Sequence, residues 1–238
     1  LEVFAISKGT EFTHSIDKIM KELELENKKN ETEFDNWDTM EEREPERYRE
    51  LKEQAERYEI HIDVQKYGYI EDIFFNNEQL KALAEMKIIY AYKSFEINMK
   101  QLLRAAYNIE TSSFYKWDAL IDFIKEKKIK IAYIQGYNEI IQLKNVNNSL
   151  KHSNEILEKL RIIPEFEKID KLSYIELNSF YERIKLMPNV FLNSIAQAIH
   201  VERYEFNEDK LNDIVESFVL RMDKETALKF AEKIRLCY

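Results

Sequence analysis

The residues best suited to chemistry lie together between positions 137 and 157. Lys144, Asn145, Asn147, Asn148, Lys151, His152 and Asn154 crowd into eleven positions. Imidazole titrates near neutrality and serves as a general acid or base. Lysine offers a point charge to an anion, and asparagine amides both donate and accept hydrogen bonds. Placed on a helix at 100° per residue, Ile140, Leu143, Val146, Leu150 and Leu157 form an apolar stripe. Lys144, Asn148 and His152 follow one another at one-turn intervals on the adjacent polar face, beside Lys151 and Glu155. Asn147 and Asn154 fall within the apolar stripe itself. Asparagine is a mediocre helix former, and burying its amide costs free energy unless it is paired. Such a helix marks either a site or an interface whose register is set by a buried Asn, as in coiled coils.

The run Asn147-Asn148-Ser149-Leu150-Lys151-His152, late on an expected third helix, resembles the signature region of HEPN domains. Those are all-α, commonly dimeric bundles, often carrying Arg and a following polar residue four to six positions before a His. The long preceding helix bearing Glu96 is similar to the first helix of that bundle, and the resemblance spans roughly residues 78–200. It implies metal-independent RNA cleavage, with His152 taking a proton from a ribose 2′-hydroxyl and a cation stabilising the phosphorane, since charge aimed at a developing oxyanion is a large catalytic term. It assigns catalytic positions to His152, Asn147 and Asn148, RNA contacts to Lys144 and Lys151, and supporting positions to Glu96 and Asn145. The Arg position falls on Asn147, or on Val146 or Asn145 at the longer spacings, so no Arg is supplied. An amide does not replace a guanidinium fork on phosphate, although Lys144 is on the correct face.

Two functions follow. One is an RNA-directed HEPN protein of a bacterial toxin or defence type, a homodimer with RNA as substrate and an antitoxin or other protein as partner. The other is a catalytically silent HEPN module that binds a partner protein or nucleotide. Neither calls for a metal or cofactor.

The remaining candidates carry weaker signals. His14, His61 and His200 stand alone, and no Cys/His spacing resembles a zinc site. Glu96 is placed to pair with Lys100 at i,i+4. The cluster Lys125, Lys127, Lys128 and Lys130 suits a helix C-terminus as well as an RNA track. The 14 Tyr, 14 Phe and two Trp suit core and interface better than base-stacking platforms.

The elements that must position these residues are helices. Only three Gly and three Pro occur in 238 residues, where average usage gives roughly 28 of the two together. This argues against sandwiches and barrels, and the dispersed Gly9, Gly68 and Gly136 exclude a phosphate loop. The expected fold class is all-α: a HEPN-like helical bundle with an acidic N-terminal helical extension. Of the 45 acidic and 36 basic residues, 22 and 11 fall in 1–80, leaving 23 and 25 in 81–238. The net charge of −9 thus describes an acidic front and a near-neutral rear, which leaves room for a local RNA site.

The expected division is a 1–77 extension, with a polar linker near 25–45, and a 78–238 bundle. Within the extension, Phe12, Ile16, Ile19 and Leu23 predict an amphipathic helix capped by Thr10. Tyr48, Leu51, Ala55, Tyr58 and Ile62 predict a second after Pro45, with a short strand at 58–64 as the alternative. The stripe from Leu80 through Ile88 and Phe95 to Ala106 predicts a central buried helix. Ser113 is a cap candidate for a helix through Ile124. Further helices are expected at about 136–160, from Ser173 to Met187, and from a restart at Pro188 to His200. Two more are expected through Leu211–Phe218 and, capped by Asp223, through Ile234. The single Cys237, the Leu start with no basic-then-apolar leader, and an apolar run of only Ile88–Tyr92 predict a trimmed, cytoplasmic chain without a membrane span.

Overall fold

The structure, a computed structural model, describes residues 10–110, 116–152 and 158–238, apart from the side chains of 10–12, 65 and 152. It is all-α, with no strand among the described residues. In chain order the helices are α1 (Thr10–Asp38), the short α2 (Met40–Arg43), α3 (Pro45–Arg57), α4 (Val64–Tyr107), α5 (Trp117–Glu126), α6 (Tyr137–His152), α7 (Tyr174–Ile184), α8 (Met187–Tyr204), α9 (Glu208–Val219) and α10 (Lys224–Arg235).

The 44-residue α4 is the axis of the fold, and α1, α6, α7 and α8 all pack on it. Leu80, Ala84, Ile88, Phe95, Met99, Leu102 and Ala106 are buried, as their spacing requires. Each fully buried Leu or Ile contributes about 1.5–3 kcal/mol. Asn108 ends the helix in the left-handed region at φ 53, with its N–H on the Arg104 carbonyl. Asparagine tolerates this backbone better than most residues.

α1 lies antiparallel along α4 in a register that three polar pairs make explicit. Asp17 meets Lys87, Asn27 donates to Asn77 at 3.0 Å, and Asp38 pairs with Lys66. Steps of ten and then eleven residues separate these pairs on both helices, about three turns each. On either side of Asp17, Ile16 and Met20 join the core of the bundle. Further along, Trp37 is buried with its Nε1 donating to Asp63.

Four expectations need correction. The polar linker near 25–45 is absent, because residues through Asp38 continue α1 and Met40–Arg43 form α2. Its composition misleads because Asn27 and Asn30 occupy the buried face of α1. On the same helix Ile19 is exposed, and the inward stripe runs through Ile16 and Met20. Residues 58–63 are neither helix nor strand, for α3 ends at Arg57 and Glu59 takes φ 54 in a turn leading into α4. A helix also crosses position 77/78, since α4 is continuous from Val64.

The caps at Ser173 and Asp223 stand where the sequence puts them, whereas Thr10 is already the first residue of α1. The Ser173 hydroxyl accepts from Ile175 N–H, Pro188 restarts the chain as α8, and Asp223 accepts from Thr226 N–H. Ser113 lies outside the described residues. Among the described residues no helix is long and apolar enough to cross a membrane.

Candidate functional site

α6 is positioned at its start and along its length. Gly136 precedes it at φ +84, and a Cβ there would sit 3.3 Å from the Met187 carbonyl oxygen and 3.3 Å from Phe191 Cβ. Only glycine accepts that backbone while letting the start of α6 approach α8 so closely. Ile140, Leu143 and Val146 then anchor the helix in the core. On its flank, Gln142 accepts from Arg183, whose guanidinium also forms a two-point pair with Glu165 at 2.6 and 2.9 Å. Burial raises the Glu165 carboxyl, but the Arg183 hydrogen bond and charge outweigh it and hold the group below its ordinary value.

The expected site residues separate into different environments. Asn147 is sealed in the core at 1% exposure, its Nδ2 donating 3.2 Å to Asn148 Oδ1 while its own Oδ1 is buried without a partner. Asn148 and Lys151 are exposed. Lys144 and Asn145 are half-buried, and the Lys144 Nζ lies 5.5 Å from the centre of the Trp117 ring. That distance suits a cation–π contact. His152 is the last residue of α6, and its side chain, with all of Asn154 and Glu155, lies outside the described residues. Glu96 pairs with Lys100 at 2.7 Å, as its spacing implies. Burial, with the Glu96 charge one turn away, pushes the Tyr92 hydroxyl up to about 12. The structure therefore joins Asn147 to Asn148 and Lys144 to Trp117, while Glu96 is engaged on α4 itself.

A polar centre that the sequence reading missed lies on the other side of α4. Lys87 is 1% exposed, and its Nζ reaches Asp17 Oδ1 at 2.7 Å, Asn178 Oδ1 at 3.0 Å and Glu182 Oε1 at 3.3 Å. The amine also lies 4.3 Å from the centre of the Tyr181 ring. A lysine amine has at most three hydrogens to donate, and three oxygens surround this one. It clamps α1 and α7 to α4 and retains no free edge for a substrate. Burial raises the Glu182 carboxyl, but the Lys185 hydrogen bond and the charges of Lys87 and Lys185 hold it below its ordinary value. The available signal was periodicity: Leu80, Ala84, Lys87 and Ala91 follow at four, three and four, placing a lysine inside an apolar stripe.

Beside this clamp is a pocket of about 250 Å³, bordered by Asp17, Ser94, Asn98, Lys185 and Asn189. It is smaller than the roughly 300–1,000 Å³ usual for small-molecule sites. A larger groove of about 1,040 Å³ runs between the end of α5, the end of α8 and α9. Tyr133 and Phe206 stand at its rim, 86% and 69% exposed, among Lys127, Lys128, Lys130 and Arg203. None of the expected site residues whose side chains are described borders either concavity. Among the described residues no three His, Cys, Asp or Glu side chains gather to hold a metal.

Comparison of the chain with protein-family models, with curated proteins and with solved structures finds no match.

Proposed function

We propose that this chain is a catalytically silent helical module, of the HEPN-like kind its α6 segment resembles, that works by binding a partner protein. The burial of Asn147 carries this reading. The residue standing where the resemblance calls for an Arg faces the core, with its amide on Asn148. An uncharged group at that depth neither reaches a phosphate nor stabilises charge developing on one. The lysine three residues before it, Lys144, rests over Trp117. Asn147 is then a buried polar residue whose hydrogen bond stays within α6.

The groove flanked by Tyr133 and Phe206 supports binding. It combines exposed aromatic rings with charges of both signs, the composition of a protein contact with an amphipathic segment. A photo-crosslinking residue at Tyr133 is expected to capture one discrete protein in the native cell, with capture lost in Phe206→Ala. Capture unaffected by Phe206→Ala, or crosslinking to RNA in its place, contradicts the reading.

A further inference from the structure

The C-terminal hairpin of α9 and α10 is a folded element without a core. Both helices begin at side-chain caps, Asn207 accepting from Lys210 N–H at 2.9 Å and Asp223 from Thr226 N–H at 2.8 Å. The Phe218 and Phe230 rings lie 4.9 Å apart across the hairpin. Lys210 fixes the elbow with α8 by donating to the Val201, Glu202 and Glu205 carbonyls at the end of that helix. Yet neither helix has a buried residue. Leu211, Ile214, Val215 and Phe218 form one stripe, and Ala227, Phe230, Ala231 and Ile234 form another. Phe218 and Phe230 each remain 37% exposed and Val215 51%. A helix of twelve residues is marginal in water without packing on its apolar face. Patterning, caps and elbow are thus all those of a bundle helix pair, and half the bundle is missing.

We propose that a second copy of this chain supplies the missing half, the two hairpins closing as an antiparallel four-helix bundle about a two-fold axis. Charge identifies the occupant. α9 carries four acidic residues against one basic, and α10 four basic against two acidic. The surface is therefore complementary to itself. In an isologous pair each α9 lies between its own α10 and that of the partner, with like-charged helices on the diagonals. A uniformly charged partner would be repelled by one helix of the two. The inference is independent of the catalytic state of α6.

The test is sedimentation of the full chain over a concentration series. The wild type is expected to be a dimer, and Val215→Glu/Phe230→Glu a monomer with unchanged thermal unfolding of the bundle, because neither side chain is buried in it. A second pair of variants isolates the charge argument: Asp213→Lys/Glu216→Lys reverses α9, and Lys229→Glu/Lys233→Glu reverses α10. Each is expected to self-associate more weakly than wild type, and their mixture to form a heterodimer. A wild type of single-chain mass throughout, as when the hairpin folds back on the groove of its own bundle, overturns the proposal. So does a dimer indifferent to Val215→Glu/Phe230→Glu, or a mixture that forms no heterodimer.

Discussion

The Nζ of Lys87 lies 2.7 Å from Oδ1 of Asp17, and this contact ties the acidic front of the chain to the axis of the bundle. Asp17 and Glu182 are half-exposed whereas the lysine is buried, so the two carboxylates relieve a charge that water does not reach. The front part is consequently built into the fold along α4, in the three-turn register of its polar pairs.

Removing both acids should cost more than removing the lysine. Asp17→Asn/Glu182→Gln leaves Lys87 buried beside neutral amides, and losing the partners of a buried charge typically costs about 3–5 kcal/mol. Lys87→Met leaves two carboxylates that rehydrate, so a smaller loss is expected by urea denaturation. A larger loss for Lys87→Met would assign the stabilisation to packing of the lysine stem.

Asn147→Leu should be close to neutral or stabilising, by up to about 1 kcal/mol. The substitution removes a buried carbonyl oxygen that has no partner and improves helix propensity. Thermal unfolding checks this. A loss of several kcal/mol would mean that the Asn147–Asn148 hydrogen bond stabilises α6.

Gly136→Ala is expected to destabilise the chain by about 1–2 kcal/mol from the left-handed backbone alone. The 3.3 Å contacts with Met187 and Phe191 add to that loss. Gly68→Ala is the control, because a Cβ there meets nothing within 4 Å. Equal unfolding midpoints for the two variants would contradict the close approach of α6 to α8.

Acid should weaken the fold through Glu165 and Glu182, whose folded carboxyls are held below their ordinary value. A depressed carboxylate contributes fully above its unfolded pKa of about 4.3 and loses that contribution as pH falls through the folded value. Stability should therefore decline below about pH 4, and Arg183→Met should flatten the decline by releasing Glu165. An unchanged acid slope in Arg183→Met would place the sensitivity elsewhere.

The helices that bury apolar stripes were legible because spacing alone reports them: the stripe of α4, the restart at Pro188 and the Asp223 cap needed no tertiary information. Residues 25–38 were not legible, because α1 buries Asn27 and Asn30 where apolar side chains are expected and its partner surface lies some fifty residues away on α4. Lys87 escaped notice for the same reason, since a lysine in an apolar stripe makes sense only once Asp17, Asn178 and Glu182 surround it. In α6 the spacing did place Asn147 in the core stripe, but it did not reveal that Lys144 rests over Trp117.

The central claim, that α6 is catalytically silent, is tested most directly by incubating the full chain and its His152→Ala variant with RNA in the presence of a chelator. End-group analysis of the products reads the chemistry. The account predicts no cyclic-phosphate ends above background and no difference between the two proteins. Cleavage that leaves such ends and disappears in His152→Ala would contradict it.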